Sequence, residues 1–197
     1  IGVRLVGSEM CIRDRVSGLA VKAVASHCAG LTSLYSERAG CVDDDAVSCL
    51  ARGCPGLTTL DLGMQDAITD SALLILAANC HQLRSLSVAY CKHISDVGIK
   101  ALAASCPHLT TLDLNNCSRL TEEALVAIAI GCPRLQSLDL GGSPNTSQRL
   151  ATDEGLITLA LHCHGIRSLN VRYCHHVSAE AVEKVKTMLC ANVQVRR

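Results

Sequence analysis

Thirteen of the 197 residues are cysteine, and thiols close to histidines are where metal or nucleophilic chemistry would first be sought. His162, Cys163 and His164 precede Cys174, His175 and His176 by one short segment. A structural zinc site would need four of these side chains to converge in a tetrahedron. A catalytic thiol would need an accessible, electropositive setting and a His partner. Carboxylates recur as well, Asp44, Asp70, Asp96, Glu122 and Asp153 in one series and Asp61, Asp113 and Asp139 in another. Neither a phosphate-binding glycine loop nor a nucleophile elbow accompanies them.

Spacing decides between these chemistries. Cys28, Cys54, Cys80, Cys106, Cys132 and Cys163 follow one another at 26 residues, with a last step of 31. Each opens the same phrase: CAGLTSLYS, CPGLTTLDL, CHQLRSLSV, CPHLTTLDL, CPRLQSLDL, CHGIRSLNV. A period in this range marks a solenoid of identical units, none able to bury its apolar face alone. The repeat cysteines therefore read as columns of small buried residues, a role a free thiol fills. Cys91, Cys117 and Cys174 form a second column in the turn after the strand. Neither disulfides nor a metal centre is expected from such columns. A reducing intracellular compartment, cytoplasmic or nuclear, is the expected setting, in which Asn145 of the triplet NTS goes unmodified.

The elements that carry these residues follow two periods. Leu57, Leu60 and Leu62 bracket Thr59 and Asp61, the alternation of a short strand with one buried face. Leu73, Leu76, Ala77 and Cys80 keep the i, i+3, i+4, i+7 spacing of a helix packed by one stripe. A capping residue stands at a fixed place in each unit: Asp43, Thr69, Ser95, Thr121, Thr152 or Ser178. The next residue is acidic in five units, Asp44, Asp70, Asp96, Glu122 and Asp153, where it meets the positive end of the helix dipole. Capping explains that series without catalysis.

The pattern CPxLxxLxLxxCxxITDxALxxLAxxC, most complete in CPGLTTLDLGMQDAITDSALLILAANC and CPHLTTLDLNNCSRLTEEALVAIAIGC, resembles the cysteine-containing subtype of leucine-rich repeat from Val16 to Cys190. The resemblance implies an α/β fold: a right-handed solenoid, or horseshoe, with short parallel strands on the concave face and helices on the convex face. This subtype is commonest in F-box proteins, the substrate receptors of SCF ubiquitin ligases. It implies a protein-interaction module whose missing F-box would engage a Skp-family adaptor and a cullin. An interaction scaffold without an F-box, of cell-cycle or DNA-repair type, is the alternative. Either way the chain itself is expected to be no enzyme and to need no cofactor.

Departures from the pattern carry their own expectations. Ser36 stands where the first strand needs an apolar residue, and Ala39 where other units have Cys, so that strand should be weaker. Five extra residues within GGSPNTSQRLATDEG should make the loop after the fifth strand protrude. Residues 1–15 have no repeat register, and LVGSEMCIRD resembles a translated sequencing adapter; they are expected to lie outside the fold and add no layer. Residues 16–197 then form one repeat domain, about six units plus a partial N-terminal unit lacking its strand, a truncated fragment of a longer solenoid.

Composition agrees with a single globular domain. The 18 basic and 18 acidic residues balance, leaving no electrostatic footprint for nucleic acid, and no apolar run is long enough to span a bilayer. A monomeric solenoid is expected. Phe and Trp are absent.

Function then falls to the concave face. One outward column is Ser33, Thr59, Ser85, Thr111, Ser137 and Ser168; the next is Tyr35, Asp61, Ser87, Asp113, Asp139 and Asn170. Strand exits add Glu37, Arg38, Met64, Tyr90, Asn116, Arg172 and Tyr173, and the fifth-unit loop adds Ser143, Asn145 and Arg149. Asp113 and Asp139 should stand side by side, about 5 Å apart, and repel by roughly 1 to 3 kcal/mol. Either a basic partner or hydrogen bonds from Ser87, Asn116 or Asn170 must answer that ladder.

Overall fold

The structure, a computed structural model, describes residues 2–6, 9–13, 18–36, 42–143, 150–189 and 193–196. Among these residues nine strands form one sheet in chain order. They are β1 (Gly2–Val6), β2 (Glu9–Arg13), β3 (Ser33–Tyr35), β4 (Thr59–Asp61), β5 (Ser85–Ser87), β6 (Thr111–Asp113), β7 (Ser137–Asp139), β8 (Ser168–Asn170) and β9 (Gln194–Arg196). β1 and β2 are antiparallel, and every later pair is parallel. The crossovers are the helices α1 (Gly18–His27), α2 (Asp44–Gly53), α3 (Asp70–Asn79), α4 (Asp96–Ser105), α5 (Glu122–Gly131), α6 (Asp153–His162) and α7 (Ala179–Met188). Strand, helix and parallel strand connect right-handedly, which gives the expected horseshoe.

The core is a stack of leucines. Leu34, Leu60, Leu86, Leu112, Leu138 and Leu169 are the central strand residues, paired in register and buried. Helix stripes such as Ala72, Leu73, Leu76 and Ala77 close each layer from the convex side. Three-residue strands hold few ladder bonds each, so stability comes from layer on layer.

All six expected caps are in place: Asp43 accepts from the Ala46 N–H, and Thr69, Ser95, Thr121, Thr152 and Ser178 do the same in their own helices. The following acidic residues do more than meet a dipole. The Asp70 carboxylate accepts from the Ser95 N–H at 2.8 Å, the Ser95 hydroxyl at 2.6 Å and the Gly98 N–H at 3.2 Å, all in the next repeat. Asp44 binds Thr69 and Asp96 binds Thr121 by the same pair of bonds, and Asp153 accepts from the Ser178 N–H. Each such carboxylate thereby clamps its own repeat to the next helix start. Gly98 leaves the room for it, because a Cβ there would lie 2.7 Å from the Asp70 carboxylate.

The thiols also join repeats. Cys54, Cys106, Cys132 and Cys163 each donate to the carbonyl of the preceding repeat cysteine, at 3.3 to 3.9 Å. That carbonyl already accepts an N–H three residues on, as Cys80 does from Leu83 and Cys106 from Leu109, and the S–H satisfies its second lone pair. Burial, the largest cause, pushes the thiols of Cys80 and Cys132 up to about 12 and that of Cys106 up to about 11. These groups stay protonated.

One departure from the pattern turns out to be partnered, and one expectation needs correction. Ser36 is not an open defect: it is buried, its hydroxyl donates to the Asp61 carbonyl at 2.7 Å, and buried Gln65 answers it. Gln65 donates to the Ser36 carbonyl at 2.7 Å and accepts from the Val42 N–H at 3.2 Å, so two hydrogen-bonded polar side chains replace two apolar ones. Within the first fifteen residues, 2–6 and 9–13 do add to the sheet: β2 takes the strand position ahead of α1, with Met10 opposite Leu34, and β1 folds back on it. An open parallel edge is a template that an adjacent extended segment closes.

Candidate partner-binding surface

The outward strand column is in register as expected, with Tyr35 opposite Asp61, Asp61 opposite Ser87, Ser87 opposite Asp113, Asp113 opposite Asp139 and Asp139 opposite Asn170. Four of these side chains end their own strands. The Oδ1 atoms of Asp61, Asp113, Asp139 and Asn170 accept from the N–H two residues on, in Gly63, Asn115, Gly141 and Arg172, at 2.9 to 3.1 Å. Such Asx turns bend the chain off the sheet.

At the same exit position four repeats place a residue in the left-handed region: Met64 (φ 63°), Tyr90 (φ 62°), Asn116 (φ 57°) and Tyr173 (φ 61°). In return their N–H groups extend the ladder. Met64 donates to the Ala89 carbonyl, Tyr90 to that of Asn115 and Asn116 to that of Gly141, at 2.7 to 2.8 Å. Asn suits this conformation, whereas a bulky residue there is a genuine outlier. Met64, Tyr90 and Tyr173 nonetheless occupy it and remain 36, 39 and 50% exposed.

The acidic ladder is largely answered within the fold. Asp139 accepts from the side-chain amides of Asn115 at 3.1 Å and Asn170 at 2.9 Å. The Ser87 hydroxyl reaches Asp113 only at 3.4 Å. The Asn115 amide is a donor that the expectation did not name. Charge is left over all the same. Burial, above all, raises the Asp113 carboxyl from its ordinary value, and Asp139 and Asp61 add to the rise against the favourable Asn115 N–H. A groove of about 380 Å³ opens here, lined by Asp61, Met64, Ser87, Tyr90, Asp113 and Asp139 among others, with no basic side chain among the described residues of its wall.

A larger groove of about 500 Å³ lies between α4 and α5 on the convex side. Its charged rim is already paired, Lys100 with Glu123, so the concave groove is the better candidate.

Of the other expected site residues, Arg172 is exposed at the exit of β8, and Ser143 is half-buried at the turn position that Cys91 and Cys117 hold elsewhere. Glu37, Asn145 and Arg149 lie outside the described residues. The histidine–cysteine motif does not converge: Cys163 and Cys174 are buried and donate to main-chain carbonyls, while His162, His164, His175 and His176 are exposed. Among the described residues no group of three or more His, Cys, Asp or Glu is placed to hold a metal ion, and no helix is long and apolar enough to cross a membrane.

This geometry, one strand and one helix per layer with a curved sheet outside the core, defines a leucine-rich-repeat solenoid, an architecture that presents extended concave binding surfaces. Residues 56–195 match the family model described as "FBD-associated F-box protein At5g56370, LRR repeats", and the chain belongs to this family of F-box-associated leucine-rich repeats. No curated protein matches it in sequence. Among solved structures it is similar to LegL7, a leucine-rich repeat-containing protein from Legionella pneumophila, at 17% identity and a TM-score of 0.56, over 95% of this chain and 62% of that one. It is also similar to a chain of the yeast Rad7–Elc1 complex, at 19% identity and a TM-score of 0.38, over 95% and 68% of the two chains. Leiomodin-1 actin-binding site 2 gives 14% identity and a TM-score of 0.49, over 89% and 86%.

Proposed function

We propose that the chain is the substrate-recognition part of an SCF-type ubiquitin ligase receptor, a non-catalytic module that holds a protein on its concave face. One observation carries the binding surface. The chain has three aromatic residues in all, and Tyr35, Tyr90 and Tyr173 lie on the concave strands or their exits, each at least 39% exposed. A core with no use for aromatic rings has them all at one face, where Tyr anchors partners well. The match to F-box-associated repeats supports the ligase assignment, with a Skp-family adaptor and a cullin engaged through an F-box elsewhere in the whole protein. Protonated, carbonyl-bonded thiols fit a reducing compartment, cytoplasmic or nuclear.

The test is affinity purification of the full-length protein, wild type and Tyr90→Gly/Tyr173→Gly. Co-purification of a Skp-family adaptor and cullin with both forms, and of a substrate with the wild type alone, is expected. Recovery of a partner without adaptor or cullin would identify a plain interaction scaffold.

A further inference from the structure

The outer faces of the helices are not alike. Where α2 shows Asp45, Cys49 and Arg52 to solvent and α7 shows Glu183, Lys184 and Thr187, the four helices between them show apolar side chains. Leu74 of α3, Val97 of α4, Ile130 of α5 and Leu161 of α6 are 45, 59, 64 and 55% exposed. The groove of about 500 Å³, with Val126 and Ala127 in its wall, lies in their midst. A leucine exposed singly needs no explanation, whereas a contiguous apolar face bordered by polar helices marks an interface. We infer that this face is covered by a second copy of the chain, turned over by a two-fold axis through the groove between α4 and α5. The dimer replaces the monomer expected from the repeats, and it leaves both concave faces open on opposite sides.

Two properties of the face select that occupant. The first is charge. The helices run one way, and exposed acids stand at their starts, Asp45, Glu123 and Glu154. Arg52 and His162 stand at their ends, and the turns that follow, residues 78–84, 104–110 and 130–136, hold His81, Arg84, His108 and Arg134 and no acid. A face with one acidic and one basic edge becomes its own complement after half a turn, which is what an isologous contact requires. The second is size. Ten residues rise about 15 Å along each helix and four helices side by side span about 35 to 40 Å, so the face offers about 550 Å² a side. The total of about 1,100 Å² lies at the border between transient and stable interfaces and gives a reversible dimer. The same axis sets Val97, in the first turn of α4, over Ile130, in the last turn of the partner's α5, and the reverse. Leu74 of α3 then faces Ile157 of the partner's α6. Lys100 keeps Glu123 within its own protomer, so no charge is stranded at the centre.

The measurement is sedimentation velocity of the chain over a range of concentrations, for the wild type, Val97→Glu and Ile130→Lys. The wild type should pass from the mass of one chain, 20.8 kDa, to twice that as concentration rises through the micromolar range. Each variant alone should dimerise about tenfold or more weakly, because the contact now buries two charges against apolar side chains. Both positions are exposed in the single chain, so far-UV circular dichroism should not change. Mixed in equal amounts, the two variants should dimerise again: the axis joins the two introduced charges, opposite in sign, at one contact and leaves the other contact wild type. A wild type that stays monomeric into the millimolar range would overturn the second copy as occupant. A dimer that neither substitution weakens would overturn the face, and two monomeric variants that fail to recombine would overturn the two-fold pairing.

Discussion

Removing one inter-repeat clamp should cost more than removing the equivalent residue that makes none. Asp70 accepts from Ser95 N, Ser95 Oγ and Gly98 N across the repeat boundary. Glu122 holds the same place in its helix, but among the described residues no hydrogen bond joins it to Thr152, whose hydroxyl serves only its own cap at Gly155. Asp70→Ala leaves two N–H groups and a hydroxyl short of an acceptor at a half-buried boundary. At about 1 kcal/mol for each bond, with water replacing part of the loss, and a further few tenths from the helix dipole, the cost is about 2 to 4 kcal/mol. Glu122→Ala gives up only the dipole term, about 0.5 kcal/mol. Urea unfolding followed by far-UV circular dichroism reads both as midpoint shifts at unchanged slope. Asp70→Asn, which keeps one acceptor oxygen, should fall between them. If Asp70→Ala and Glu122→Ala lie within about 0.5 kcal/mol of each other, the carboxylates act through the dipole alone and the clamp is geometry without energy.

Tyr90→Gly should stabilise the free protein by about 1 kcal/mol, since glycine carries no penalty in the left-handed region; a loss in thermal or urea stability would show that the ring packs on the fold. Asp113→Asn should be neutral or stabilising near neutral pH. The folded chain holds the Asp113 proton more tightly than the unfolded chain, so stability falls as pH rises from the ordinary Asp value through the raised one. The variant's advantage should therefore shrink on acidification to about pH 3.5, and an advantage that grows instead refutes the assignment. Asp139→Asn should cost about 1 to 2 kcal/mol, because it turns an amide toward the Asn170 amide that Asp139 now receives. Iodoacetamide on the native protein should label exposed Cys49 and spare Cys80, Cys106 and Cys132, with peptide mass spectrometry as the readout; rapid labelling of Cys106 would contradict its burial.

Repeat, register and caps were legible because they are periodic: a leucine column and a hydroxyl or Asp before each helix repeat the same local physics. What the sequence hid was reciprocal. Gln65 reads as an isolated departure until Ser36, 29 residues earlier, is seen to need its amide. Asp70 reads as a dipole residue until the next repeat's Ser95 is beside it. The exposed aromatic residues were legible as an exit column, but their left-handed backbone was not, since Met and Tyr are the wrong residue types to suggest it. Asn116, and Gly142 at the same spacing, were the available clue. The edge pairing of β2 escaped because closing an open strand edge needs only main chain, which leaves no mark in composition.

The left-handed exit has a consequence for how such an array acquires new partners. Met64, Tyr90, Asn116, Gly142 and Tyr173 hold one and the same position in successive repeats, and the first four donate the same main-chain bond to the next layer. The turn dictates the backbone at that position whatever side chain it bears, and the side chain leaves the core behind. Each layer therefore exposes one character that can be rewritten at a cost of about 1 to 2 kcal/mol, without touching the leucines that hold the layers together. The row of exits is an address line, edited one letter at a time while the page beneath stays bound.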